Sequence, residues 1–261
     1  PLLMIFAGGF TMLYIGALVI AIGNGTVEAV CNPLVATLYP NKKTEKLNQF
    51  HVWFPGGIAI GGLAAFLLDK IGLPWWELKM GLVLIPTLIY GFLIFGKEFP
   101  ATERVQSGVS TLDMFKSVIH PVFLLILLAM AVTASLELGP GRWIPSVLGS
   151  VGIPGIVVLA YINGLMAILR YYAGPVVERF SPPGILIASV VLGALGLYWF
   201  SFAETTLMAF VSATVFAVGV CYIWPTTLGL TNEMFPRSGA LGLALVGGMG
   251  MLIVGQVTSP Q

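Results

Sequence analysis

The 261 residues are 57% hydrophobic and only 9% charged, against about 25% charged in an ordinary soluble domain, which excludes a water-soluble globule. Twelve basic and eleven acidic side chains leave a net charge of +1, so no basic field exists that could hold nucleic acid against salt. The two cysteines, Cys31 and Cys221, both sit in apolar stretches and give neither a disulfide framework nor the paired spacing of a metal site.

A spanning helix needs about 20 mostly apolar residues to cross about 30 Å of hydrocarbon. Eight such runs follow one another near 10–38, 48–68, 79–96, 119–138, 153–175, 184–203, 205–231 and 238–258. Segments such as FLLILLAMAV at 123–132 are apolar all round, whereas strands of a membrane barrel alternate. The expected fold is therefore an all-α polytopic helix bundle. The chain opens on Pro1 and closes on Gln261 just after an apolar run, which reads as an internal piece of a longer protein. Basic residues orient it, because Lys and Arg gather on the cytoplasmic face. With the loop at 39–47 on that face, it collects Lys42, Lys43, Lys46, Lys97, Arg104, Lys116, Arg179 and Arg237, while Lys70, Lys79 and Arg142 fall outside and Arg170 lies in a span.

The longest loop, KEFPATERVQSGVSTLDMFKSV at 97–118, divides three spans from five. It reads as a cytoplasmic linker between the end of a first half, residues 1–96, and a second half, residues 119–261. Ser110 and Asp113 have capping-box spacing, so the linker either starts a short interfacial helix or stays a solvated loop. Internal comparison supports two halves. Asn32-Pro33 with Tyr39-Pro40, and then Gly56-Gly57, recur in order as Trp224-Pro225 with Phe235-Pro236 and Gly247-Gly248, each roughly 190 residues on. A repeat of that length holds six helices, and two repeats joined by a linker are the organisation of a secondary transporter. The eight spans are then helices four to eleven of twelve, with a remnant of helix three before Phe10.

GNGTVEAVCNPLVATLYP at 23–40 followed by LNQFHVWFPGG at 47–57 resembles helices four and five of the fucose permease and its bacterial sugar-permease relatives. GPVVERF at 174–180 is similar to the Gly-x-x-x-Asp/Glu-Arg loop of the major facilitator superfamily. The resemblance implies a two-half transporter in a bacterial inner membrane, driven by an ion gradient without a cofactor.

Polar residues inside spans carry the candidate site. An ionised side chain at mid-bilayer costs about 2.5–3.5 kcal/mol on insertion scales, so each needs a partner, a wet cavity or a role. Asn24, Glu28 and Asn32 are four apart and share one helix face, which is expected to line the cavity between the halves. Burial penalises the charged form of a carboxylate, which suits Glu28 to taking up and releasing a proton; the resemblance implies that role too. The alternative is a structural glutamate satisfied by a neighbouring helix. Pro33 removes a backbone donor and predicts a kink or an unwound turn. His51 is either a proton relay or an interfacial histidine, and His120 is interfacial. Glu137, in SLELGPGRW, is expected beside a flexible break with Arg142 as its partner, either as a gate or as a plain helix end. Asn163 and Arg170 share a face, and Arg170 either meets solute or pairs with Glu233, for which Arg179 competes. Such pairs, Glu178 included, are implied to latch the cytoplasmic side. Tyr222 and Trp224 either stack on a sugar ring, the usual partnership of an apolar wall with few polar groups, or simply pack within the bundle.

No nucleophile triad, metal cluster or GxxxxGK[ST] loop occurs, so an enzyme or ATP-driven pump is not expected. The leading reading is a proton symporter for a monosaccharide or similar small polar solute; the oligomeric state is left open by the sequence, a monomer being compatible with it. The competing readings are a drug or metabolite exporter of the same fold and a transport-dead receptor or structural protein.

Overall fold

The computed structural model describes residues 1–257. Eight long helical segments follow in chain order: α1 (Phe10–Leu38), α2 (Lys43–Lys70), α3 (Trp76–Ile94), α4 (Pro121–Leu138), α5 (Gly155–Tyr171), α6 (Pro182–Phe200), α7 (Thr206–Met234) and α8 (Gly239–Val257). All but α5 belong to segments long and apolar enough to span a membrane, and α5 is an apolar helix of 17 residues. The all-α polytopic bundle expected from the sequence is the architecture, with no strand among the described residues. Position 258, the expected end of the last span, and residues up to 261 lie outside the described residues. Boundaries move where polar turns extend an apolar run. α2 begins at Lys43 rather than 48 because KTEKLNQF is itself helical. α5 ends at Tyr171 because Gly174–Arg179 forms a separate short helix.

Proline chemistry shapes three of these segments. A proline has no N–H, so the carbonyl four residues earlier loses its helical donor. α2 is broken at His51 and Val52, four residues before Pro55; α3 at Leu82 and Val83, before Pro86; α7 at Cys221 and Tyr222, before Pro225. Pro33 behaves otherwise. α1 runs unbroken from Phe10 to Leu38 with Pro33 buried inside it, so the unwound turn expected there is absent. The repeated Pro33 and Pro225 are thus not equivalent in effect.

Packing in the second half rests on close backbone approach. A Cβ built on Gly219 would collide with the backbone of Gly193, and one on Gly196 with the backbone of Phe216, so α6 and α7 touch main chain to main chain. Around this contact Val158, Ile162, Phe216 and Val220 form one buried cluster, while Phe123, Met130, Trp224 and Leu243 form another with Leu47 of α2. The first half leans on the second. α1 lies along α8, and α2 lies along α5 and, at its start, against the end of α7.

The linker takes the helical option. Ser110 caps Thr111–Val118, accepting from the Asp113 amide at 3.2 Å and donating to the Asp113 carboxylate at 2.8 Å, which is worth about 1 kcal/mol. Upstream, Glu103 pairs with Lys43 at 2.7 Å and its amide donates to Thr37 Oγ1 at 3.0 Å. Its neighbour Arg104 lays its side chain over Gly239, whose φ of +54° excludes most other residues.

Candidate functional site at the interface of the halves

The break in α7 leaves two main-chain groups without helical partners. Pro225 cannot donate to the Cys221 carbonyl, and the Trp224 amide, in the first turn after the break, has no helical acceptor. Two buried charges answer them. Arg170 of α5 donates Nε to Cys221 O at 2.6 Å, and Glu137 of α4 accepts the Trp224 amide through Oε2 at 3.0 Å. The two charges meet each other, Arg170 Nη2 to Glu137 Oε1, at 2.6 Å, with both side chains 1% exposed. The remaining guanidinium nitrogen, Nη1, donates at 3.1 Å to His51 O, the carbonyl that Pro55 frees in α2. One side chain therefore closes proline breaks in both halves. Arg170 pairs with Glu137 rather than Glu233, and Glu137 with Arg170 rather than Arg142, because both breaks present their bare main-chain groups at that depth.

His51 links this cluster to α1. Its Nδ1 lies 2.8 Å from Leu47 O, an acceptor, so Nδ1 carries the proton. Nε2, which has no hydrogen-bond partner, faces Glu28 Oε1 at 3.6 Å. The other Glu28 oxygen accepts from Asn32 Nδ2 at 2.9 Å. His51 is buried, not interfacial, whereas His120 is exposed and caps α4 by accepting the Val122 amide. Of the expected stripe, Glu28 and Asn32 join the site and Asn24 is exposed away from it.

Beyond this cluster, away from the lysine-rich loop, a cavity of about 240 Å³ opens between the halves. Phe54 and Ile58 of α2 form one wall, Leu159, Asn163 and Phe216 the other, and Glu137 lies at its floor. The lysine-rich end is closed instead. Thr44 donates to Glu233 at 2.6 Å, Asn48 to Thr226 at 3.4 Å and Gln49 to Tyr171 O at 3.3 Å, and Lys42 lies 3.5 Å from Glu178. Thr44 also fills the space above Gly229, where any Cβ would clash with it. Glu45 beside Lys42 raises the pKa of that ammonium above its usual range.

A family model described as Major Facilitator Superfamily matches residues 1–256. The chain belongs to the major facilitator superfamily. Among the curated proteins and the solved structures, none matches. As a major facilitator protein it is an integral membrane secondary transporter of small-molecule solutes.

Within this facilitator chain the remaining expected residues are placed as follows. Asn163 lines the cavity and donates to Leu159 O at 2.9 Å. Trp224 packs its ring against Gly247 and Gly250, and Tyr222 donates its hydroxyl to Leu169 O at 3.1 Å; both are buried in the second half and neither borders the cavity, so they take the packing alternative. Glu178 and Glu233 hold Lys42 and Thr44 of the first half, while Arg179 lies 5.8 Å from the Phe180 ring and not on Glu233. Sequence reasoning missed Thr44, Asn48 and the carbonyl at His51. Pro55 was the available signal for the last of these, since a proline in a helix always frees a carbonyl.

Proposed function

We propose that this major facilitator protein couples proton entry to transport of a small polar solute such as a monosaccharide, by alternating access between its halves in a bacterial inner membrane. The reading rests on His51 and Glu28. With Nδ1 committed to Leu47 O, Nε2 of a neutral His51 and an ionised Glu28 Oε1 are two acceptors facing each other 3.6 Å apart. One added proton, on either group, turns that repulsion into attraction, which makes the pair a binding place for a proton at the seam between the halves. Glu28 is the coupling residue, with Asn32 orienting it; the solute occupies the cavity over Glu137, where Asn163 offers a polar edge. The resemblance of residues 23–40 and 47–57 to the fucose permease branch supports this reading.

The test is uptake into proteoliposomes by the full-length protein, across hexoses and deoxyhexoses, under an imposed proton gradient. Glu28→Gln is expected to abolish uphill accumulation while leaving solute exchange; full proton-driven accumulation in that variant overturns the assignment. The cavity's largely apolar wall, with Phe54, Ile58, Leu159 and Phe216, favours a second reading, export of an apolar drug or metabolite. Silence across the sugar panel together with proton-dependent efflux of an apolar solute selects it.

A further inference from the structure

Every polar bond described above between the halves lies at or toward the lysine-rich side of His51: Lys42 to Glu178, Thr44 to Glu233, Asn48 to Thr226, Gln49 to Tyr171 O and finally His51 O to Arg170. Past His51 the contact between α2 and α5 is made of small and apolar groups, Gly56 on Ala167, Ala59 on Gly164 and Gly62 on Ile156. The Arg170 bond is the last of the polar series and, like that of Asn48 to Thr226, fully buried. Its other partners, Cys221 O and Glu137, belong to the second half, so they travel with Arg170 when the halves move. His51 O does not.

We propose that Arg170 is a positioning residue for alternating access, which fixes the Pro225 break of α7 and fastens the first half to it through the carbonyl that Pro55 frees, so that release of His51 O is the step that lets the lysine-rich end open. Three features support this. Pro55 removes the only local donor for His51 O, so no helical bond competes with the guanidinium. The planar fork of Arg serves three acceptors on α2, α4 and α7 at once, which a lysine ammonium cannot do in that geometry. The same residue, His51, turns its side chain to Glu28 and its carbonyl to Arg170, so the group that senses Glu28 is also the group that is fastened.

Two substitutions attack the bond from opposite sides. Arg170→Lys keeps a cation for Glu137 but loses the fork. Pro55→Ala leaves Arg170 intact and gives His51 O a helical donor of its own, in competition with the guanidinium. In the full-length protein, with Cys31→Ser and Cys221→Ser as background, reporter cysteines Asn232→Cys at the lysine-rich end and Gly141→Cys at the cavity mouth are alkylated with a maleimide. Both variants are expected to raise the rate at 232 relative to that at 141 by about tenfold, the change expected on losing one hydrogen bond to a charged group, and the double variant to go no further than either alone. Pro86→Ala, which adds a helical donor in α3 to Leu82 O, already an acceptor from the Ile85 amide at 3.2 Å, is expected to leave the ratio unchanged. The proposal is overturned by an unchanged ratio in folded Pro55→Ala, by additive shifts in the double variant, or by an equal shift in Pro86→Ala. Pro55→Ala keeps the test open even where Arg170→Lys does not fold.

Discussion

The glycines that a neighbouring helix crowds lie mainly in the second half, while most of those in the first half face open space. In α1, α2 and α3 a Cβ built on Gly23, Gly25, Gly57, Gly61 or Gly91 meets nothing within 4 Å, whereas in α6, α7 and α8 the same addition at Gly193, Gly219 or Gly250 strikes a neighbouring helix. Association of helices in lipid depends on close packing rather than on expulsion of water, so small residues at a contact are what bring two backbones together. The second half coheres by that means. The first half is held differently: α1 on α8 and α2 on α5, with the polar seam at the lysine-rich end joining it to its support.

The largest expected effect lies where the two halves share one side chain. Arg170→Met strands Glu137 as a buried, unpaired charge and leaves both proline-freed carbonyls bare, a loss of about 3–5 kcal/mol, read as a lower midpoint of thermal unfolding in detergent. Adding Glu137→Leu is expected to recover only part of it, because Cys221 O and the Trp224 amide still lack partners; complete recovery would show that the breaks need no cap. Next comes Gly219→Ala, which forces α6 and α7 apart and is expected to cost about 1–3 kcal/mol or more in the same assay. Gly61→Ala should act with the opposite sign, gaining up to about 1 kcal/mol of helix propensity. A loss there as large as that of Gly219→Ala would mean that another helix packs on this face, and would end the contrast. The smallest effect is that of Lys42→Ala at the exposed rim of the seam: a slight gain in accessibility of the lysine-rich end in alkylation assays, present at low salt and screened away at high salt.

The eight helices were legible because lipid demands long apolar runs, and the Ser110 cap because its spacing is local. Glu28 and Asn32 were legible as a shared face, and Arg170 as a charge in need of an answer. What could not be read was the answer itself. Nothing local in the sequence says that a guanidinium on α5 reaches Cys221 O, His51 O and Glu137, 51, 119 and 33 residues away; Glu233, a plausible mate by charge alone, is taken by a threonine hydroxyl. The aromatic residues of α7 stayed ambiguous for a related reason, since Trp224 fills the space left by Gly247 and Gly250, a match between helices that only the fold supplies. The proline rule was available for Pro55, Pro86 and Pro225, yet Pro33 shows that it locates a freed carbonyl and not the bend.

Glu103 and Arg104 are adjacent, yet one is tied to Thr37 and Lys43 and the other lies over Gly239. The connection between the halves is therefore not a slack tether whose length sets how far they part, but a staple one residue wide. Once the lysine-rich ends are free to part, one of these two neighbours must also let go, and which one yields decides whether the linker travels with the first half or with the second.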